Sequence, residues 1–195
     1  MKLYGTTTSP FVRRVRVVAA EVGEPVELID TAPEAGQAQL REVSPIRKVP
    51  VAVIDGRTIY DSRTIIDWLV TTRGYGTFAP PIDRWRESNL VNAIDGALDS
   101  LIQLFYLRRD GVAVDGSAYA TRQVDRAEAI FAHLGSEVRG TTFGNGFGLV
   151  ELSLIASLDW MDFRKTFPTE KLTALAPLRA HWHDRPSLAA TRPHA

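Results

Sequence analysis

The 195-residue sequence predicts an α/β domain of order βαβαββα followed by an all-α domain. Over residues 1–75 short apolar runs alternate with segments of helical periodicity, whereas from Asp83 onward only the helical period persists. Between the two, Arg73 to Pro81 holds two glycines and two prolines, the composition of a linker. The boundaries follow: 1–75 for the α/β domain and 82–195 for the helical one.

Lys2 to Tyr4 opens the first strand. A polar threonine run then leads to Ser9-Pro10, a side-chain cap followed by proline at the first helical position. Val12, Val15, Val18, Ala19 and Val22 recur at helical spacing, and Gly23 suits the helix end. Val26, Leu28 and Ile29 predict a second strand, and Gln37 to Val43 a short helix before Ser44-Pro45. Val51 to Ile54 and Thr58 to Tyr60 form a hairpin through Asp55-Gly56, residues that tolerate the positive φ of a tight turn. Asp61-Ser62 then caps a helix whose apolar face is Ile65, Ile66 and Leu69.

In the second part, Leu90, Val91, Ile94, Ala97, Leu98, Leu101, Ile102 and Phe105 describe one helix of roughly 25 residues. Tyr119 to Val138 and Leu149 to Phe163 carry the same period, and Leu172 to Trp182 carries it more weakly. The tail from Asp184, with two prolines, either packs as an irregular extension or frays.

Composition narrows the chemistry. There are no cysteines, so disulfides, thiolate metal sites and a thiol nucleophile of the protein's own are excluded. Lys plus Arg and Asp plus Glu number 23 each, with no run of like charge, so a nucleic-acid partner is not expected. No window approaches the ~18 apolar residues of a membrane span, and no signal-peptide core opens the sequence. No membrane partner and a cytoplasmic location are the expectations.

Ser9 lies where a strand-to-helix turn exposes a hydroxyl at the positive end of a helix dipole. It is either a cap alone or also a donor to a small thiol, favouring thiolate over thiol. Val49-Pro50 is either an ordinary strand entry or, if cis, a backbone edge for an extended peptide. Asp61-Ser62 is a cap that can also hold an amino acid headgroup, the carboxylate taking its ammonium and the hydroxyl its carboxylate.

Taken together and in this order, SPFVRRVRV, KVPV and DSRTIIDWL resemble the thioredoxin-like domain of the glutathione transferases, followed by that family's helical domain. LDWMDFRKTFP and RPSLAATRP resemble a bacterial subgroup of small, glutathione-binding members. The resemblance implies a glutathione S-transferase of the serine type, with glutathione as cosubstrate and a detoxifying role. Ser9 would contact the glutathione sulfur, Val49-Pro50 would pair with its cysteinyl backbone, Asp61 and Ser62 would hold the γ-glutamyl end, and Lys48 would reach the glycine carboxylate. Thr6, Thr7 and Thr8 are nearby substitutes for Ser9. The electrophile would sit against Phe11 and against Phe105, Tyr106 and Arg109; an inward Arg108 or Arg109 would favour an acidic compound. A homodimer through the Asp61 to Thr72 region and the long helix is likewise implied. The rival is a noncatalytic glutathione-binding or regulatory interaction protein of the same fold.

Other signals are discounted. His181-Trp182-His183 places its histidines on different helix faces, so no metal is expected. Glycines 144, 146 and 148 lack the preceding strand and following Lys of a phosphate loop. At 148 a glycine stands where the family usually has a capping hydroxyl, although Glu151 can still bond back to the helix start. Arg13, Arg14 and Arg16 read as a solvated face or as members of intramolecular ion pairs, and could also help attract an anionic tripeptide.

Overall fold

The computed structural model describes residues 1–194. Its first unit contains β1 (Lys2–Gly5), α1 (Pro10–Glu21), β2 (Glu27–Asp30), α2 (Glu34–Val43), β3 (Val51–Ile54), β4 (Arg57–Tyr60) and α3 (Ser62–Arg73). This is the expected βαβαββα order. The sheet order is β2-β1-β3-β4, with β1 parallel to β2, antiparallel to β3, and β3 antiparallel to β4. The domain is thioredoxin-like. Asp55 and Gly56 both take positive φ, 47° and 75°, which lets the hairpin close in two residues.

One sheet face gathers Tyr4, Val51 and Leu40 of α2, flanked by Ile29, Val43 and Val53. α1 packs against α3. Val12, Val15, Val17, Val18 and Ala19 of α1 are fully buried, as are Ile65 and Leu69 of α3. At about 25 cal/mol per Å² of apolar surface, each such valine or leucine contributes roughly 1.5–3 kcal/mol against the entropy of ordering the chain.

The second unit is helical, with α4 (Arg84–Arg109), α5 (Ala118–Glu137), α6 (Leu149–Arg164) and α7 (Ala176–Trp182). α4 packs against α5 and α6. It buries Leu90, Val91, Ile94, Ala97, Leu98, Leu101 and Leu104. By length and composition α4 is apolar enough to cross a membrane, which corrects the expectation that no such window exists. Its many Leu, Ile and Val residues outweigh its few charges when the window is averaged, but its apolar side faces α5 and α6. The segment 172–182, expected as one helix, is helical only from Ala176. Pro177 explains this: within a longer helix its ring would strike the carbonyl of residue 173, so it is tolerated only in a first turn.

The contacts divide the chain at Pro80/Pro81 and again at Trp182/His183. The tail from His183 therefore belongs with the α/β unit, a correction to the assignment of 82–195 to the helical domain. It carries a short helix, α8 (Pro186–Ala189), that packs on α1. The physical cause is polar. Glu21 on α1, its side chain 5% exposed, receives Arg185 Nε and Nη2, both at 2.7 Å. It also accepts hydrogen bonds from Ser187 and Thr77.

Candidate functional site

The sheet register brings the predicted segments together. Tyr4 pairs with Val51, and Val51 pairs with Tyr60. Because β3 is antiparallel to both neighbours, the C-terminal ends of β1 and β4 share one edge with the N-terminal end of β3. The loop carrying Ser9, the Val49-Pro50 entry and the Asp61-Ser62 turn all emerge from that edge.

Ser9 is the N-cap of α1, its Oγ accepting the Val12 N–H at 3.3 Å. A hydroxyl has two lone pairs and one proton, so capping leaves the proton available. Among the described residues Ser9 Oγ donates to nothing. Its neighbours differ: Thr6 and Thr8 hydroxyls face one another at 3.2 Å, and Thr7 donates to the His194 carbonyl at 2.9 Å.

The Val49-Pro50 peptide is cis. Val49 is half-buried beside the sheet core, and among the described residues no backbone hydrogen bond involves it. Lys48 is exposed and makes no ion pair among the described residues. Asp61 caps α3, with Oδ1 accepting the Arg63 N–H at 2.8 Å, and its carboxylate is exposed. Ser62 is buried, and its Oγ accepts from Arg14 Nη2 at 3.2 Å.

Arg14 lies against Ser62, a contact that sequence reasoning did not foresee. It is only 2% exposed, as is Arg13, so for these two arginines the solvated-face alternative is corrected. Its guanidinium carbon lies 4.8 Å from the Phe11 ring centroid while its Nη2 reaches Ser62, which ties Phe11 on α1 to the start of α3. No local pattern marks this, because Arg14 and Ser62 are 48 positions apart. Burial, joined by the neighbouring Arg13, lowers the Arg16 pKa from its ordinary value.

In the helical unit, half-buried Phe105 meets Trp160 edge-on at 5.6 Å and Tyr106 at 5.4 Å. Arg164 lies between aromatic faces, 5.2 Å from the Phe105 centroid and 4.7 Å from that of Phe163. Trp160 and Arg164, both from α6, were not among the expected lining residues. Tyr106 is 48% exposed with Arg109 over its ring at 4.6 Å. Arg109 also pairs with Asp110 at 2.8 Å, and Arg108 with Asp115 at 2.7 Å, so each of these cations already has an anion on its own unit.

The discounted signals have plain structural roles. His181 meets Trp182 edge-on at 4.5 Å, whereas His183 contacts Asp184 at 3.0 Å. Among the described residues no group of three His, Cys, Asp or Glu is placed to hold a metal ion. The glycine-rich loop is organised by Glu151, which is buried and accepts the N–H of Gly148 at 2.9 Å, the N–H of Phe143 at 2.6 Å and the Thr142 hydroxyl at 2.8 Å. It thus makes the return half of a capping box, to the Gly148 N–H, while the first-turn amides of α6 get no side-chain acceptor from Gly148.

Residues 3–76 match the family described as glutathione S-transferase, N-terminal domain. Over 172 residues the chain is 25% identical to the uncharacterized GST-like protein YibF of Escherichia coli K12, covering 86% of this chain and 85% of that protein. A glutathione S-transferase from Methylobacterium radiotolerans, in complex with glutathione sulfonate, superposes with a TM-score of 0.85 at 25% identity, covering 100% of this chain and 95% of the other. A glutathione transferase family member from Pseudomonas fluorescens Pf-5 with bound glutathione gives 0.80 at 28% identity, covering 100% and 99%. Sequence and structure comparisons alike find this chain similar to glutathione S-transferases.

Proposed function

We propose that this chain is a glutathione S-transferase of the serine type, which binds glutathione at the sheet edge and activates its thiol for attack on a small electrophile. The observation that carries the proposal is the Ser9 hydroxyl, whose acceptor side caps α1 while its proton has no acceptor among the described residues. A thiolate placed before it would take that proton as a hydrogen bond, and the dipole of α1 acts in the same direction. Of the rival threonines, Thr7 gives its proton to the tail and Thr6 and Thr8 share one hydrogen bond, so neither of those two is, like Ser9, the cap of α1.

Binding is divided among the other segments. The unpaired Val49 backbone would meet the cysteinyl peptide unit, Asp61 the γ-glutamyl ammonium, and Ser62 the adjoining carboxylate, with Arg14 adding positive charge behind it. Lys48, exposed and without an ion-pair partner among the described residues, would take the glycine carboxylate. The reaction needs no covalent step on the protein, because the chain holds the cosubstrate, lowers the pKa of its thiol and orients it. A free thiol of this kind titrates near 8.5, and a fall of about two units, ~2.7 kcal/mol, makes it mostly thiolate at neutral pH. On the helical unit, the rings of Phe105 and Tyr106 suit an apolar or aromatic electrophile. Homodimeric assembly, a cytoplasmic location and a detoxifying role belong to the same proposal.

Calorimetric titration of glutathione into wild type, Ser9→Ala and Asp61→Ala, with thiolate absorbance followed against pH, tests it. Asp61→Ala weakens binding by roughly tenfold or more, the loss of one charge-assisted contact. Ser9→Ala leaves affinity nearly intact and returns the bound thiol toward its free pKa. A wild type that takes up no glutathione refutes the assignment. A wild type that binds glutathione yet shows no Ser9-dependent turnover against a panel of electrophiles is a noncatalytic binding protein instead.

A further inference from the structure

The tail runs antiparallel to α1 and is fastened to it at three levels, all within the α/β unit. At the last residue of α1, Glu21 holds Arg185 and Ser187. At the first turn, buried Arg13 donates from Nη2 to the Leu188 carbonyl at 3.2 Å and from Nε to Thr191 Oγ1 at 3.4 Å. Thr191 is itself 5% exposed and anchored through its hydroxyl to the Ser187 carbonyl at 2.8 Å. Just before the helix, Thr7 donates to the His194 carbonyl at 2.9 Å. The helix is 12 residues long, about 18 Å at 1.5 Å per residue, so the fastenings span its whole length.

Two of these fastenings bracket Ser9. The loop between β1 and α1 is short, and Ser9 N bonds back to the Thr6 carbonyl at 3.2 Å while Arg13 N bonds to the Ser9 carbonyl at 3.0 Å. Thr7 on one side of the Ser9 turn and Arg13 on the other are thus both bonded to the tail. Burying a guanidinium beside a helix N-terminus opposes both solvation and the helix dipole, so the placement of Arg13 calls for more than an ordinary helix surface supplies.

We infer that residues 183–194 form a strap that fixes the Ser9 loop, and that Arg13 is a positioning residue acting on thiol activation through Ser9. This rests on the proposed glutathione chemistry, but the mechanical part does not. A donor aimed at a developing charge must be placed within a fraction of an ångström, so loosening the strap raises the pKa of the bound thiol while the Asp61-Ser62 subsite still retains the tripeptide.

The experiment uses the full chain with Arg13→Lys, which keeps the charge but loses the fork that reaches two acceptors, and Thr191→Val, which keeps the shape but loses the hydroxyl. Thr191→Ser restores the hydroxyl and serves as the rescue. Hydrogen exchange over residues 6–13 and the thiol pKa of bound glutathione are read together with glutathione affinity. In Arg13→Lys and Thr191→Val the amides of 6–13 exchange about tenfold faster, while those of α3 are unchanged. The bound thiol pKa rises by about 0.5–1 unit, a three- to tenfold change in thiolate, with the Kd of glutathione within about twofold of wild type. Thr191→Ser returns both readouts toward wild type. Unchanged exchange in both variants overturns the strap. Faster exchange with an unmoved thiol pKa overturns the positioning role. A wild type that does not bind glutathione sinks the proposed function and with it the positioning role, and exchange alone then decides whether the strap holds the loop.

Discussion

Replacing Glu21 by Gln preserves the shape of the side chain and removes the charge on which the tail converges. In the native structure both carboxylate oxygens accept from Arg185 at 2.7 Å, and Ser187 and Thr77 add hydroxyl donors. The amide replaces one acceptor by a donor facing a guanidinium and takes the Glu21 charge away from the half-buried Arg185. Breaking a buried pair costs about 3–5 kcal/mol. Glu21 is 5% exposed but Arg185 is 20% exposed and recovers some hydration, which places the loss at about 2–3 kcal/mol. For a chain of this size, ~2–4 °C per kcal/mol gives a fall in Tm of roughly 5–10 °C by calorimetry. Glu21→Gln combined with Arg185→Met removes both charges, and its loss is smaller than the sum of the two single losses. A Glu21→Gln protein with native circular dichroism and a Tm within about 1 °C of wild type refutes the assignment of the tail's anchorage to this pair.

Acid should release the same anchor. Burial pushes the Glu21 carboxyl up, but hydrogen bonds from Arg185, Ser187 and Thr77 outweigh it and hold the group below its ordinary value of 4.5. A depressed carboxylate contributes stability that is fully present above 4.5 and is lost as pH falls through the lower folded value. The urea midpoint of wild type therefore drops below pH 4.5 more steeply than that of Glu21→Gln, and parallel curves for the two count against it. In the helical unit, Glu151→Ala leaves the buried N–H groups of Phe143 and Gly148 without their acceptor, a loss of about 2–4 kcal/mol. Exchange at those two amides reports it directly, and unchanged protection there denies Glu151 its capping role.

Much of the fold was legible because its determinants are local. Ser9-Pro10 and Asp61 carry capping chemistry within three residues of the amides they serve, and Asp55-Gly56 sets its turn by its own φ angles. Apolar spacing then assigned each helix its buried face, and errors arose where a single residue overrode the period, as Pro177 does at the start of α7. The candidate site was legible as three short segments, since each is a strand end or a helix cap.

By itself the sequence determined the order of elements, the linker and the residues at the sheet edge, because backbone propensity, capping and turn geometry act over a few residues. The tertiary structure alone decided which charges are buried. Arg13 and Arg14 sit in a helix segment that reads as solvated or ion-paired, and only packing places one against Leu188 and Thr191 and the other against Ser62 and Phe11. Glu21 and Arg185 lie 164 positions apart, yet they hold the tail to the α/β unit. A charge is stable in the interior only where a distant partner has been brought to it, and the path of the chain sets that distance.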